Sequence, residues 1–333
     1  MLHQEEKKPH LMKCEVPAAE PDGVKTAVKR ELRKIGSALR AFGRALTQPV
    51  LPAATEPRVP AIGLALGGGF ARGVAHIGVF KVLEEENVPL RYLAGTSVGA
   101  IMGAIYASGI SVREMEKIAA LVRFKDFARW TLSRNGLASN DRMIPFFDKV
   151  LKVKTFEELK MPFAVVATDF VSGEPVVFRS GPLIPAIRAS CAYPGIFLPV
   201  EVNGRLMVDG LLSYSVPTPT LRQMGAERVI ASHLKASWVG KNGPRHVLEI
   251  IGQCFSIAQT RMCEEWKSAA DVILEPDVRG FAFDDFQRAA ELVRRGEDAT
   301  RDALPDIRSW MTTTAAQPAA SPRTAQAATV PVK

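Results

Sequence analysis

The apolar positions of this chain fall into short continuous runs alternating with stretches of helical spacing. Ala61 to Leu66 is a brief apolar run that stops at Gly67-Gly68-Gly69. After it, Val74, Ile77, Val79, Val82 and Leu83 recur through Ala71 to Glu86 at mostly helical spacing. A run of that length bounded by glycine predicts a buried strand, and the spacing after it predicts a helix. The pattern repeats with a strand over Leu90 to Ala94, a helix over Val98 to Ser108, a strand over Phe163 to Thr168 and a later strand over Val229 to Ser232. Such alternation predicts an α/β fold with a mostly parallel sheet flanked by helices in three layers. In such sheets the functional groups gather at the carboxyl ends of the strands, where both glycine-bearing turns fall.

One segment admits a rival reading. Tyr92 to Val112 contains no charge, and Gly95, Gly99 and Gly103 make a GxxxG series, so on length and composition it could cross a bilayer. Gly95-Thr96-Ser97-Val98-Gly99 interrupts it, however, and divides it into an incoming strand and an outgoing helix. A strand buried on both faces followed by a buried helix has the same hydropathy, so the strand-turn-helix reading is preferred.

The ends differ from the middle. In residues 24–46 the cations Lys25, Lys29, Arg30, Arg33, Lys34, Arg40 and Arg44 face one acid, Glu31. Val28, Leu32, Ile35, Leu39, Phe42 and Leu46 fall on one stripe of a helix. This basic amphipathic helix suits an anionic membrane surface, or else it packs on the body of its own chain. Pro49, Pro52, Pro57 and Pro60 mark residues 47–60 as an extended linker, and the Ala/Thr/Pro-rich residues 312–333 are expected to be disordered. The expected organisation is therefore a basic extension and linker at 1–60, a body at 61–311 and a tail at 312–333.

Charge changes the partner picture. Of a net +8, residues 1–60 hold +4 and residues 312–333 hold +2, which leaves +2 for the body. The body is nearly neutral, so the basic balance does not imply a nucleic-acid partner. With 333 residues, 47% hydrophobic and 23% charged, the composition excludes a wholly disordered or fibrous chain. Cys14, Cys191, Cys254 and Cys263 show neither a disulfide framework nor zinc spacing. The first residues lack the apolar run of a secretory signal. A cytoplasmic protein, peripheral on the membrane if the basic helix binds lipid, is the expectation.

Two turns carry candidate chemistry. Gly67-Gly68-Gly69-Phe70-Ala71-Arg72-Gly73 leaves backbone amides unobstructed at a helix start, a place that suits anions. A dinucleotide fingerprint would need glycine at 72, and no acid closes the next strand near Ala94, so that reading fails. Gly95-Thr96-Ser97-Val98-Gly99 matches the G-x-S-x-G elbow that exposes a serine on a sharp strand-to-helix turn. A serine hydroxyl needs a base. His3 and His10 lie in the polar extension, and His76 lies inside the first helix, where a structural role is favoured. Asp209, in Val208-Asp209-Gly210-Leu211, and His233, at the end of the late strand, remain as candidates. Arg72 either meets a substrate phosphate or pairs with a nearby carboxylate to fix the turn. Asp169, beside Ser172-Gly173, is read as a turn cap.

The glycine turn with its Arg72, the serine elbow, the segment Ala189-Ser190-Cys191-Ala192-Tyr193-Pro194-Gly195-Ile196-Phe197-Leu198-Pro199-Val200 and Val208-Asp209-Gly210 occur in an order that resembles the bacterial branch of the patatin-like phospholipases. The likeness covers about residues 61–235. It implies a patatin-like fold and a lipid acyl hydrolase working through a Ser-Asp dyad and an acyl-enzyme. Ser97 would be the nucleophile and Asp209 the general base. The amides of Gly67, Gly68 and Gly69 would form the oxyanion hole, and Gly95 and Gly99 would shape the elbow. No cofactor and no metal are implied, and the substrate would be a lipid acyl ester. The sequence departs from the family pattern at Leu211, where glycine or alanine is usual, and its glycine turn is one residue longer than the plant version. Two alternatives stand beside this reading: an α/β-hydrolase esterase with a Ser97, Asp209, His233 triad, and a non-catalytic membrane-bound regulatory protein on the same fold.

Overall fold

The computed structural model describes residues 21–47, 58–133, 136–235, 243–244, 247–261 and 264–311. The chain divides into two compact units, Met1–Glu56 and Pro57–Lys333. In the first, helix α1 runs Pro21–Thr47 and exposes Val28, Leu32, Ile35 and Leu39. The side chains of Phe42 and Leu46, most of the linker expected at 47–60, His246 and the tail expected at 312–333 lie outside the described residues.

The second unit alternates strand and helix through its first half. Its elements are β1 (Ile62–Leu66), α2 (Ala75–Glu85), β2 (Leu90–Thr96), α3 (Val98–Ala107), α4 (Val112–Leu121), the hairpin β3 (Arg129–Ser133) and β4 (Gly136–Ser139), and α5 (Met143–Val150). There follow β5 (Phe163–Asp169), β6 (Pro175–Phe178), α6 (Leu183–Ser190), β7 (Val200–Val202), β8 (Arg205–Asp209), α7 (Thr218–Gln223) and β9 (Arg228–Ser232). The unit ends with α8 (Val247–Arg261), α9 (Glu264–Ser268), β10 (Val272–Leu274) and α10 (Ala289–Ser309).

The large sheet has the order β10-β9-β1-β2-β5-β8-β7, with β6 also paired to β5. From β10 to β5 the strands are parallel. At the other end β6, β8 and β7 pair antiparallel, so the sheet is mixed beyond β5. The β7–β8 link accounts for part of this. Asn203 and Gly204 both have positive φ, the backbone of a two-residue hairpin turn whose twist suits antiparallel strands.

Every residue of β1 is buried. Ile62, Leu64 and Leu66 join the main core with residues of α2, α3, α4 and α10, whereas Ala65 joins Ala94, Leu221 and Trp266 in a smaller cluster on the opposite face. Side chains alternate across a strand, so β1 is covered on both sides and three layers result. The helix expected over 71–86 opens differently: Phe70–Val74 is a 3-10 turn, and the α-helix begins at Ala75. The uncharged stretch Tyr92–Val112 resolves into the end of β2, the elbow, α3 and the first residue of α4. No helix among the described residues is long and apolar enough to cross a membrane.

Candidate active site

Ser97 stands between β2 and α3 with φ 55 and ψ −124, a conformation that costs a non-glycine residue about 1–3 kcal/mol. The glycines on either side make that turn possible. A Cβ on Gly95 would lie 2.4 Å from the Gly99 carbonyl oxygen, and one on Gly99 would lie 2.1 Å from the Leu66 carbonyl oxygen. The Ser97 N–H donates to Ser190 Oγ at 2.8 Å, and Ser190 Oγ donates onward to the Val166 carbonyl at 2.6 Å. A fully buried serine thus ties the strained turn to the neighbouring strand.

Strand register explains how Asp209 reaches this turn. β2 pairs with β5 as Thr96↔Val166, and β5 pairs with β8 as Ala167↔Asp209. Ser97, one residue past Thr96, is therefore level with Asp209 across a single intervening strand. Gly210 lets the β8 end approach, because a Cβ there would lie 2.2 Å from the Val166 carbonyl oxygen. The result is a direct bond: Ser97 Oγ donates to Asp209 Oδ2 at 2.7 Å between residues 112 positions apart. The Leu211 N–H donates to Oδ1 at 3.0 Å, and Thr168 Oγ1 donates to the Asp209 carbonyl at 2.9 Å. The carboxylate is held by a main-chain amide, so the leucine at 211 leaves that contact intact. Its side chain is free to pack beside Tyr193 and Phe197.

Asp209 is fully buried, and desolvation raises its pKa to about 7 against the opposing bonds from Leu211 and Ser97. The neighbouring Cys191 thiol is pushed well above its ordinary value, chiefly by burial and also by the Asp209 charge.

Of the three amides expected in the oxyanion hole, that of Gly67 is a correction. It donates to the Ser232 carbonyl at 2.9 Å, and its own carbonyl lies 2.9 Å from His76 Nε2. His76 Nδ1 is 3.0 Å from Ser232 Oγ, so a neutral ring that donates from Nε2 and accepts at Nδ1 satisfies both contacts. Burial lowers the His76 pKa to about 4, in keeping with a neutral structural residue. The Gly68 amide makes only a long 3.3 Å contact to the Ser215 carbonyl, and Gly68 and Gly69 both line the cavity at Ser97.

The remaining expected residues separate into the near and the far. Arg72 is buried and its Nε donates to the Phe281 carbonyl at 3.0 Å, which ties the glycine turn to the segment before α10. His233 lines the same cavity, but its Nδ1 faces Glu275 Oε1 at 3.2 Å and its ring packs on Trp266. No imidazole fits between oxygens 2.7 Å apart, so the Ser97–Asp209 contact is not bridged by histidine as a triad would require. Asp169 caps its turn: Oδ1 accepts from Val171 and Ser172, and Oδ2 pairs with Arg205. Those partners, the Ser172 amide first, lower its pKa to about 2.

Ser97 and Phe70 lie where two cavities meet. One is apolar and lined by Val98, Ile101, Ile105, Met115, Phe127 and Phe146 among others. The second carries Arg72, Lys235, Lys267, Gln259 and Thr260. Phe70 itself has φ 54 and packs edge-on against Tyr193. Sequence reasoning missed the apolar cavity, because its walls come from helices with no motif of their own, and it placed Ser190 in a motif without its bond to the Ser97 amide.

Fold and site together define a three-layer α/β protein with a serine–carboxylate pair at the head of an apolar cavity. Residues 64–222 match the family model of the patatin-like phospholipases. An uncharacterized NTE family protein of Mycobacterium tuberculosis is 34% identical over 196 residues, 54% of this chain and 51% of that protein. Lysophospholipase NTE1 of Mycosarcoma maydis is 29% identical over 231 residues, 66% of this chain and 12% of that protein. The matched region thus spans about half the length of the mycobacterial relative and a small part of the fungal one. Among solved structures, VipD from Legionella pneumophila aligns over 75% of this chain and 67% of its own, at 13% identity and a TM-score of 0.45.

Ser190→Ala is expected to leave the Ser97 amide unpaired, lowering stability by about 1–3 kcal/mol. It should also slow fluorophosphonate labelling of Ser97 about tenfold. Urea unfolding and labelling kinetics on one preparation measure both.

Proposed function

We propose that this chain is a serine-dependent lipid acyl hydrolase, a carboxylic ester hydrolase acting on phospholipids, lysophospholipids or related esters. One observation carries the reading: a 2.7 Å bond between a strained serine and a buried carboxylate, placed where an apolar cavity meets a polar one. The acyl chain occupies the apolar cavity and the headgroup lies on the polar side, near Arg72, Lys235 and Lys267. Arg72 is first a structural residue through its bond to Phe281.

Asp209 accepts the Ser97 proton as Oγ attacks the ester carbonyl. The oxygen that becomes negative is held by the amides of Gly68 and Gly69, each such donor contributing about 2.7–4 kcal/mol to the tetrahedral intermediate. Asp209 then passes the proton to the departing alcohol, which leaves the acyl group on Ser97. Water attacks that ester while Asp209 takes its proton, and the proton returns to Ser97 as the fatty acid departs. A pKa near 7 suits both halves, because a general base works best close to the ambient pH. The exposed Val28, Leu32, Ile35 and Leu39, with Lys29, Arg30, Arg33 and Lys34 exposed on the same helix, support a peripheral attachment of residues 24–46 to anionic membranes.

The test is labelling with a fluorophosphonate, followed by a lipid panel assayed with wild type, Ser97→Ala and His233→Ala. Labelling that requires Ser97, ester hydrolysis, and activity of His233→Ala within about tenfold of wild type are expected. Folded wild type that neither labels nor hydrolyses any ester favours the non-catalytic regulatory protein. A loss of several powers of ten in His233→Ala would restore the triad.

A further inference from the structure

The body is nearly neutral, yet its charge is unevenly placed. Residues 121–154 contain eight Lys/Arg and three Asp/Glu, a net +5, so the rest of residues 61–311 is net −3. This segment includes the end of α4, the β3–β4 hairpin and α5. Its inner side helps to wall the apolar cavity through Val122, Phe124, Phe127, Met143 and Phe146. Its outer side exposes large apolar groups: Leu121 at 78%, Trp130 at 66%, and Leu137 and Ile144. The two sides touch, since the Trp130 ring lies 6.2 Å from that of Phe124 and Phe124 packs near Phe197, another cavity residue. Lys125 and Lys149 are exposed in the same segment, and Arg142 donates to the Lys125 carbonyl.

We propose that this rim is a docking surface for an anionic lipid bilayer, which sets the apolar cavity of the catalytic body against the membrane. Tryptophan at an apolar edge with cations around it has the chemistry of a membrane interface, where the ring sits among headgroups and lysines meet lipid phosphates. Charge selects this occupant over a second copy of the chain, because a two-fold contact would set the same +5 segment against itself. The rim is also continuous with the cavity assigned to the acyl chain. To that extent the inference rests on the proposed function, although its binding test does not.

The test uses the full chain and vesicles of phosphatidylglycerol and phosphatidylcholine in equal parts, with pure phosphatidylcholine as the neutral control. Wild type should co-sediment with the anionic vesicles. Trp130→Ala is expected to weaken binding about tenfold, and Lys125→Gln with Lys149→Gln on the order of 30-fold, each lysine near an anionic surface contributing about 1 kcal/mol. In both variants the ratio of vesicle to monomeric-ester hydrolysis should fall in step, with the unfolding midpoint as the check on folding.

Unchanged sedimentation of both variants overturns the proposal. So does loss of binding confined to Lys29→Gln with Arg33→Gln in α1, which would make α1 the sole anchor. A wild-type dimer by light scattering that Trp130→Ala converts to monomer also overturns it, because a second copy would then cover the rim. If no ester is hydrolysed but the sedimentation shifts appear, the docking surface stands and the catalytic reading falls.

Discussion

Ser97→Ala is expected to abolish fluorophosphonate labelling and to lower kcat/KM for acyl esters by about four to six powers of ten, the loss typical of removing a nucleophile that acts in concert with its base. Substitution at this position also reads the cost of the turn. Alanine keeps a Cβ in the positive-φ conformation that the elbow imposes, whereas Ser97→Gly removes it. Both variants take the same partner away from Asp209 Oδ2, so their difference reads backbone strain against the extra conformational entropy that glycine gives the unfolded chain. Ser97→Gly should unfold at higher urea than Ser97→Ala by about 1 kcal/mol of stability, while both remain inactive. A Ser97→Gly variant less stable than Ser97→Ala would mean that the elbow stores no strain, because only the entropy cost of glycine would then remain. Hydrolysis by Ser97→Ala above about one per cent of wild type would mean that another group attacks the ester.

The first half of the fold was legible because parallel strands buried on both faces read as continuous apolar runs. Ile62–Leu66 and Phe163–Asp169 are fully buried and stop at glycine or a turn cap. The antiparallel end was harder to see. β7 and β8 are short, and two of the five β8 residues are exposed, so they show neither an apolar run nor clean alternation. Yet Val202-Asn203-Gly204-Arg205 carries the Asn-Gly signal of a hairpin turn, and both residues adopt it.

The site shows the same division. Ser97 and its flanking glycines announce themselves, because a crowded elbow permits few residue types. Asp209 could be singled out from its motif, but its contact with Ser97 depends on the register of β5 between two other strands, which neither sequence segment contains. The Gly67 amide was expected at the oxyanion site because glycine frees a backbone for any use. Here His76 and Ser232 take both its polar groups. The walls of the apolar cavity come from α3, α4, α5 and the turns around them, where lining positions look like ordinary core positions.

Asp209→Asn should lower kcat/KM by about three to four powers of ten, and at neutral pH it should make the fold more stable. Asparagine can keep its oxygen on the Leu211 amide and turn its NH2 toward Ser97 Oγ, so the packing survives while the buried charge and the base do not. With Asp209 at about 7 in the folded state and 3.8 when unperturbed, the folded protein holds a proton that the unfolded chain has released between those values. The native state binds more protons, so this group makes stability fall as pH rises through that window. Full ionisation costs on the order of 4 kcal/mol, of which about 3 kcal/mol develops between pH 5 and pH 8. His76 acts in the opposite sense. Burial lowers its pKa to about 4, so the unfolded chain binds the extra proton and stability rises with pH from about 4 to about 6.5. The wild-type curve alone mixes the two slopes. The difference between wild type and Asp209→Asn removes the histidine, and urea unfolding at pH 5 and pH 8 should show that difference moving by about 3 kcal/mol in favour of the variant. Over the same range kcat/KM of the wild type should climb with pH and level off above about 7, because in the proposed mechanism the ionised form that weakens the fold is the one that accepts the Ser97 proton. A flat stability difference together with a flat pH–rate profile would mean that Asp209 is already charged at pH 5, and that burial leaves it the weak base that an ordinary aspartate is.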